Sequence, residues 1–292
     1  MFTLTKSKIN TYIQCPEKYR LQYLLRIRPL RTNTAIVEGQ ALHRLIEAGL
    51  LYDENAEDVL PAVSEEFWKS MPFEFCAYDD LSAYEAASTR CLLEAKAFLK
   101  MLGHLEVRAT ERDIEAPLVD PISGEACEDI NLRGIIDLVD TIDGIDRIID
   151  LKTVSRSPTM PVAHLSMELS IYGYLATYPN FLDRIEPVPV ALVSLVRTKA
   201  PKVIWDESFR TVEDFEQVTR TCRQIAQAIS LGHFWKNPGV QCAWCAYAGF
   251  CQYDRDRVVR DFGLERWEFY QSIKAQVETT LTPGFSPLAT AA

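Results

Sequence analysis

Cys242, Cys245 and Cys251 crowd into one short C-x2-C-x5-C run near the C-terminus, and the cysteine that best completes their set is Cys15, more than two hundred residues away. Pro238 and Gly239 precede the run and Gly249 lies inside it, so the chain there can turn tightly. Cys15 ends the stretch Ser7-Lys8-Ile9-Asn10-Thr11-Tyr12-Ile13-Gln14 and is followed by Pro16. Four thiolates can hold zinc or an iron–sulfur cluster, and spacing alone does not choose between them. A site of this kind pins the two ends of the chain together, which is a severe constraint on any fold. The chain has 292 residues, is 48% hydrophobic and shows no signal-peptide apolar region, so ligation or free thiols are expected rather than disulfides. Cys76, Cys91, Cys127 and Cys222 lie in helical or strand patterns and read as core or surface thiols.

The net charge of −10 excludes a protein coated in nucleic-acid-binding charge but leaves room for a local basic surface. Lys6, Lys8, Lys18, Arg20, Arg26, Arg28 and Arg31 make the beginning of the chain basic. Tyr12, Tyr19 and Tyr23 are interleaved with them and could stack on bases or simply pack. Arg197, Lys199 and Lys202 form a second cluster, although any one of these charges also fits an ordinary solvated surface. No apolar run reaches transmembrane length, and a soluble, cytoplasmic protein without a membrane partner is expected.

Periodicity predicts a helix over 7–28 with a break or new start at Pro16, and another over 38–51. Residues 52–103 read as a wholly helical insertion. The pattern then changes to strands at 131–140 and 146–154, joined through Asp143-Gly144, a strong hairpin signal. A helix over 162–177, a buried strand over 188–196, a shorter strand at 203–205 and an amphipathic helix over 212–229 follow. After the cysteine knot at 238–252 a helix is expected to about 280, and then a mobile tail at 282–292.

Side chains alternate along a strand, so Asp150 and Lys152 share one face, and an antiparallel hairpin can bring Asp137 to the same side. Two carboxylates and a lysine among isoleucines and valines are costly to bury unless something pairs them. A divalent cation with oxygen ligands, Mg2+ or Mn2+, would do so. An ordinary salt-bridged hairpin with a wet face reads the same way at this point. Three further features accompany the hairpin. His43 follows Glu38-Gly39-Gln40-Ala41-Leu42 at a helix start, Glu168 and Tyr172 stand four apart on one helix face, and Gly134 permits close approach of another group.

In this order the pieces resemble the PD-(D/E)xK nuclease superfamily, in particular its RecB-like branch with the Cas4-like iron–sulfur members. The matching residues are Tyr12-x2-Cys15-Pro16, Gly39-x3-His43, Gly134-x2-Asp137, Asp150-x-Lys152, the helix bearing Glu168 and Tyr172, and the C-x2-C-x5-C run. The helix motif of that branch begins with glutamine, whereas this chain carries Glu168, which leaves the role of that residue open. The resemblance implies an α/β fold with a restriction-endonuclease-like core, a central mixed sheet flanked by helices. It implies one nuclease domain over 1–281, with 52–103 as a helical insertion and an iron–sulfur clamp joining the N- and C-terminal segments. It further implies His43, Asp137, Asp150 and the backbone carbonyl of Leu151 as ligands of Mg2+ or Mn2+. Lys152 would orient or activate the attacking water and stabilise charge on the phosphate, Glu168 and Tyr172 would complete the catalytic set, and Cys15, Cys242, Cys245 and Cys251 would hold a [4Fe-4S] cluster.

The function expected on these grounds is that of a metal-dependent DNA exonuclease in recombination, repair or end processing, acting on DNA with a free or single-stranded end. A Cas4-like nuclease of CRISPR adaptation is the alternative within the same chemistry, and either role implies a protein partner from that process. A catalytically silent DNA-binding protein on the same fold is opposed by the intact Asp137, Asp150 and Lys152. A zinc-binding interaction module is a further alternative, which the colour of an iron–sulfur protein would exclude.

Overall fold

The structure, a computed structural model, describes residues 2–52, 55–177 and 187–280. Strand β1 (Phe2–Thr5) leads directly into helix α1 (Lys6–Gln14). Pro16, which has no N–H to donate, starts the short helix α2 (Pro16–Tyr19), extended by a wide turn over Arg20–Leu24. The helix expected over 7–28 is therefore interrupted at Pro16. Helices α3 (Thr34–Tyr52), α4 (Ala56–Ser70) and α5 (Leu81–Leu102) follow, in keeping with the helical reading of this stretch. Next come β2 (Val107–Val119), β3 (Ala126–Ile142) and β4 (Ile145–Val154), then α6 (Met167–Thr177), β5 (Val188–Val196), β6 (Lys202–Arg210) and α7 (Val212–Ser230). The short helix α8 (Ala248–Gln252) precedes α9 (Arg255–Phe262) and α10 (Leu264–Thr280). Gly263, at φ 89°, separates these last two helices where the sequence predicts one. The tail expected at 282–292 lies outside the described residues. Among the described residues no helix is long and apolar enough to cross a membrane.

The chain divides into two compact units, one of Met1–Ile13 with Thr32–His233 and one of Gln14–Arg31 with Phe234–Ala292. The larger unit is built on a six-stranded mixed sheet in the order β1-β3-β4-β5-β6, with β2 on the other edge of β3. β1 and β5 run parallel to their neighbours β3 and β4, and the β2–β3, β3–β4 and β5–β6 pairs are antiparallel. The β3–β4 hairpin turns at Asp143 and Gly144, both in left-handed backbone as a tight two-residue turn requires. β6 spans nine residues, more than the expected three, because its polar Asp206, Glu207 and Ser208 hide the strand pattern.

Helices α3, α4 and α5 bury Leu42, Leu45, Leu60, Trp68, Cys91 and Phe98 with Leu138, Ile149, Leu151 and Val193 of the sheet in one apolar cluster. Helix α6 is buried at every described position from Leu169 to Thr177, as its nearly uniform apolar sequence requires. It lies close on the sheet at Gly134 of β3, where an added Cβ would lie 2.8 Å from Leu175 and 3.2 Å from the Tyr172 ring. The buried guanidinium of Arg210 fixes the start of this helix, donating to Ser170 Oγ at 2.7 Å and to the Ser166 carbonyl at 3.0 Å.

The smaller unit has its own core of Leu21, Ile27, Tyr247, Phe250, Val258, Phe262 and Tyr270. Its two chain segments are tied by backbone and side-chain bonds. Glu17 N–H donates to the Trp235 carbonyl at 3.1 Å, Tyr247 OH to the Ile27 carbonyl at 2.9 Å, and Asn237 to the Gln14 carbonyl at 2.9 Å.

Candidate active site

One edge of β3 belongs to β2, and the opposite edge is shared. β1 pairs with residues 130–133 of that edge, and β4 pairs with it from Leu138 onward. Asp137 therefore stands at a fork where β3 has left β1 and not yet joined β4. One step beyond the last rung of the ladder, Leu138 with Ile149, the register sets Asp137 opposite Asp150. The strands do not close there. Asp137 Oδ2 instead accepts the backbone N–H of Leu151 at 2.8 Å. Leu151 thus meets Asp137 through its N–H.

Asp150 is fully buried. Lys152 Nζ donates to its Oδ1 at 2.8 Å and lies 2.7 Å from Oδ2 without hydrogen-bond geometry, leaving Oδ2 with no donor. Burial raises the Asp150 carboxyl above its ordinary value; the lysine beside it opposes the rise and Asp137 adds to it. A buried carboxylate is expensive unless cations offset it, and its oxygens are donors of the kind a hard cation takes.

His43 of α3 and Glu111 of β2 complete this corner. One ligand atom each from His43, Glu111 and Asp137 lie within 4.8 Å of one another. His43 Nδ1 is 3.9 Å from Asp137 Oδ2 and 4.0 Å from Glu111 Oε1. The β2–β3 register, with Thr110 opposite Leu138 and Arg112 opposite Ile136, sets Glu111 across from Asp137. Its backbone is left-handed, at φ 43°. Glu111 is 36% exposed, yet partial desolvation, then Asp137 and Glu47, push its carboxyl up to about 7. A groove of about 560 Å³, lined by Gly39, Gln40, His43, Arg44, Glu47 and Glu111, opens beside this cluster. Sequence reading missed Glu111. The alternation of Ile114, Ala116 and Leu118 was the available signal for its strand, whose outward face is dense in charge.

Glu168 and Tyr172, one turn apart on α6, approach from the other side. Lys152 donates to Glu168 Oε1 at 3.1 Å. Lys6, the first residue of α1, also enters the site. Its Nζ donates to Tyr172 OH at 2.8 Å and to Asp150 Oδ1 at 3.4 Å, and it forms a close ion pair with Glu168. Burial opposes the charge of Lys6, but Asp150 and Glu168 outweigh it and hold its pKa above the ordinary value. Glu168 is likewise penalised by burial and yet lowered by Lys152 and Lys6. Burial, reinforced by Asp137 and Asp150, raises Tyr172, so its hydroxyl keeps its proton. The glutamate at position 168 is thus matched by two ammoniums.

Other charged and aromatic residues are used differently from what the sequence indicated. Arg197 is held between Glu38 and Glu94 and is no part of a free basic surface. Tyr12 and Tyr19 are buried, with Tyr12 OH donating to the His233 carbonyl at 2.7 Å, so neither ring is available to stack on a base. Tyr23 is half-buried, its ring 5.1 Å from that of Tyr19.

The smaller unit contains all four cysteines of the proposed set. Cys15 immediately precedes α2, Cys242 and Cys245 lie in and just after the turn Val240–Trp244, and Cys251 is in α8. All four are half-buried. Burial pushes the Cys251 thiol up to about 11, with Glu17, Cys15 and Cys245 adding to the rise and Lys236 opposing it. Four thiols in one unit are a donor set of the kind a thiolate-bound metal uses, and the positive charge of such a metal would reverse that penalty. Cys76, Cys91 and Cys222 are buried thiols, and Cys127 is half-buried beside Arg223, as expected for bystanders.

The chain resembles a crystal structure named "Putative exonuclease" from Eubacterium rectale, at 11% identity and a TM-score of 0.50, covering 87% of this chain and 88% of that one. The crystal structure of SSO0001 aligns at 16% identity and a TM-score of 0.37, over 81% of this chain and 94% of that one. No curated protein matches. The model of the PD-(D/E)XK nuclease superfamily matches residues 3–252. The chain belongs to the PD-(D/E)XK nuclease superfamily.

Proposed function

We propose that this nuclease is a metal-dependent DNA exonuclease of the RecB-like, iron–sulfur branch, working on DNA ends in recombination, repair or end processing. The observation that carries the metal-dependent reading is the approach of His43, Glu111 and Asp137, one ligand atom each within 4.8 Å of one another, with the fully buried Asp150 and Lys152 also meeting at this site. His43, Glu111, Asp137 and Asp150 would hold Mg2+ or Mn2+, with the Leu151 carbonyl as a further ligand. When bound, the ion lowers the pKa of a water and polarises a phosphoryl oxygen. Asp150 and Glu168 keep the Lys152 ammonium at the site, where it can orient that water and face charge on the phosphate. Tyr172 holds its proton and can donate a hydrogen bond. In the smaller unit, Cys15, Cys242, Cys245 and Cys251 would hold a [4Fe-4S] cluster that clamps its two chain segments.

The name of the Eubacterium rectale structure favours attack from an end over attack within a strand. The test is cleavage of one DNA sequence in linear single-stranded, linear duplex, nicked and covalently closed forms, with Mg2+ or Mn2+. Linear DNA should be degraded, and Asp150→Ala and Lys152→Ala should each lose on the order of a hundredfold or more in rate while DNA binding persists. Equal rates on closed circles and free ends would replace exonuclease by endonuclease. Wild-type rates from Asp150→Ala would remove this site altogether.

A further inference from the structure

The Lys6 ammonium has three N–H donors and meets three oxygens from three residues: Asp150 Oδ1, Glu168 Oε1 and Tyr172 OH. Two of these, Asp150 Oδ1 and Glu168 Oε1, are carboxylate oxygens that a hard divalent ion would bind, and Lys152 Nζ shares both with Lys6, at 2.8 and 3.1 Å. The lysine is held firmly, because Thr5, just before it, is paired with Arg133 in the parallel β1–β3 ladder, and α1 starts at Lys6 itself. Its side chain is 21% exposed, so solvent does little to compete for the ammonium. The local charge balance is equally specific. Glu111, Asp137, Asp150 and Glu168 stand against Lys6 and Lys152, which leaves two net negative charges for a single divalent ion to balance. Without Lys6 a third negative charge would remain.

We infer that Lys6 is the built-in second cation of this site: its ammonium fills the Asp150–Glu168 position that a second divalent ion would otherwise take, so the site binds one ion. The inference rests on the proposed metal site and concerns its stoichiometry. The negative charge that builds on the phosphate then meets one exchangeable ion on the His43 side and a fixed ammonium on the α6 side. Nucleases that use two ions place them about 3.5–4 Å apart, and such a pair is readily detected when both are Mn2+.

The experiment is Mn2+ titration of the full chain, read by calorimetry for stoichiometry and by electron paramagnetic resonance for coupling between ions. Wild type should take up one ion at this site with an isolated-ion spectrum, and Asp137→Ala should lose it. Lys6→Met should take up two, with the spectrum of a spin-coupled pair. Lys6→Met combined with Glu168→Gln should return to one, because the charge balance is restored. Should Lys6→Met not fold, Lys6→Gln removes the charge while keeping a hydrogen-bonding side chain, and the same outcome is expected. A coupled pair in wild type, or a single ion in the folded Lys6 variant, overturns the inference and leaves the metal site standing. A wild type that takes up no ion removes the metal site and the inference together.

Discussion

Glu111 stands in left-handed backbone opposite Asp137, with its carboxyl raised to about 7 by partial desolvation and then by Asp137 and Glu47. The sign of the consequence follows from linkage. A carboxyl whose folded value lies above its ordinary one favours the folded state while protonated, and that contribution is lost as pH rises through the folded value. Metal-free protein should therefore lose stability between about pH 4.5 and 7, with Asp150, also raised, acting in the same direction. A divalent cation favours the ionised form, so it should release protons on binding and flatten the slope. Thermal melting across this pH range, in chelator and in Mg2+, checks both statements. Glu111→Gln should remove most of the metal-free slope and weaken Mn2+ binding on the order of tenfold or more. An unchanged slope in that variant would show that Glu111 does not titrate as described.

At the scale of elements, the site depends on how closely α6 lies on β3. Gly134 permits that contact, since a Cβ there would meet the Leu175 side chain at 2.8 Å and the Tyr172 ring at 3.2 Å. Gly134→Ala should cost about 1–3 kcal/mol by overpacking, measured by chemical denaturation. It should also displace Tyr172 from Lys6 and lower cleavage beyond what lost stability explains, when both are assayed well below the melting temperature. A variant with wild-type stability would mean that α6 can shift freely, which the bonds of Arg210 to Ser166 and Ser170 argue against. The fork in β3 matters in the same way. Because β1 and β4 share one edge of that strand, the sheet itself leaves Asp137 between the two ladders and delivers Lys6 to the neighbouring Asp150.

At the scale of the whole molecule, the two proposed metal centres fall in different compact units, the carboxylates in the larger and the thiols in the smaller. Their loss should therefore be separable. Purified protein should contain iron and absorb broadly near about 400 nm, as thiolate–iron centres do. Cys15→Ala should lower the iron content and leave the smaller unit open to proteolysis, because metal-binding energy there is folding energy. Mn2+ binding that depends on Asp137 should survive in the same variant. Stoichiometric zinc without iron in the wild type would replace the cluster by a zinc site.

What the sequence determined by itself was local. Strand alternation fixes that Asp150 and Lys152 share a face, a helical turn brings Glu168 and Tyr172 together, and Asp143-Gly144 closes the hairpin. These relations hold within a few residues of chain, where backbone geometry leaves few choices. The spacing of Cys242, Cys245 and Cys251 is legible for the same reason. Tertiary structure alone decided that Glu111 faces Asp137, since this follows from a strand register between residues more than twenty positions apart. It alone decided that Lys6 belongs to the site, because that depends on β1 pairing with a segment well over a hundred residues away. It also chose packing over base stacking for Tyr12 and Tyr19 and tied Arg197 to Glu38 and Glu94, choices that residue type leaves open. Charge and aromaticity state what a side chain can do, but burial and partners state what it is free to do, and those are set by packing between distant segments.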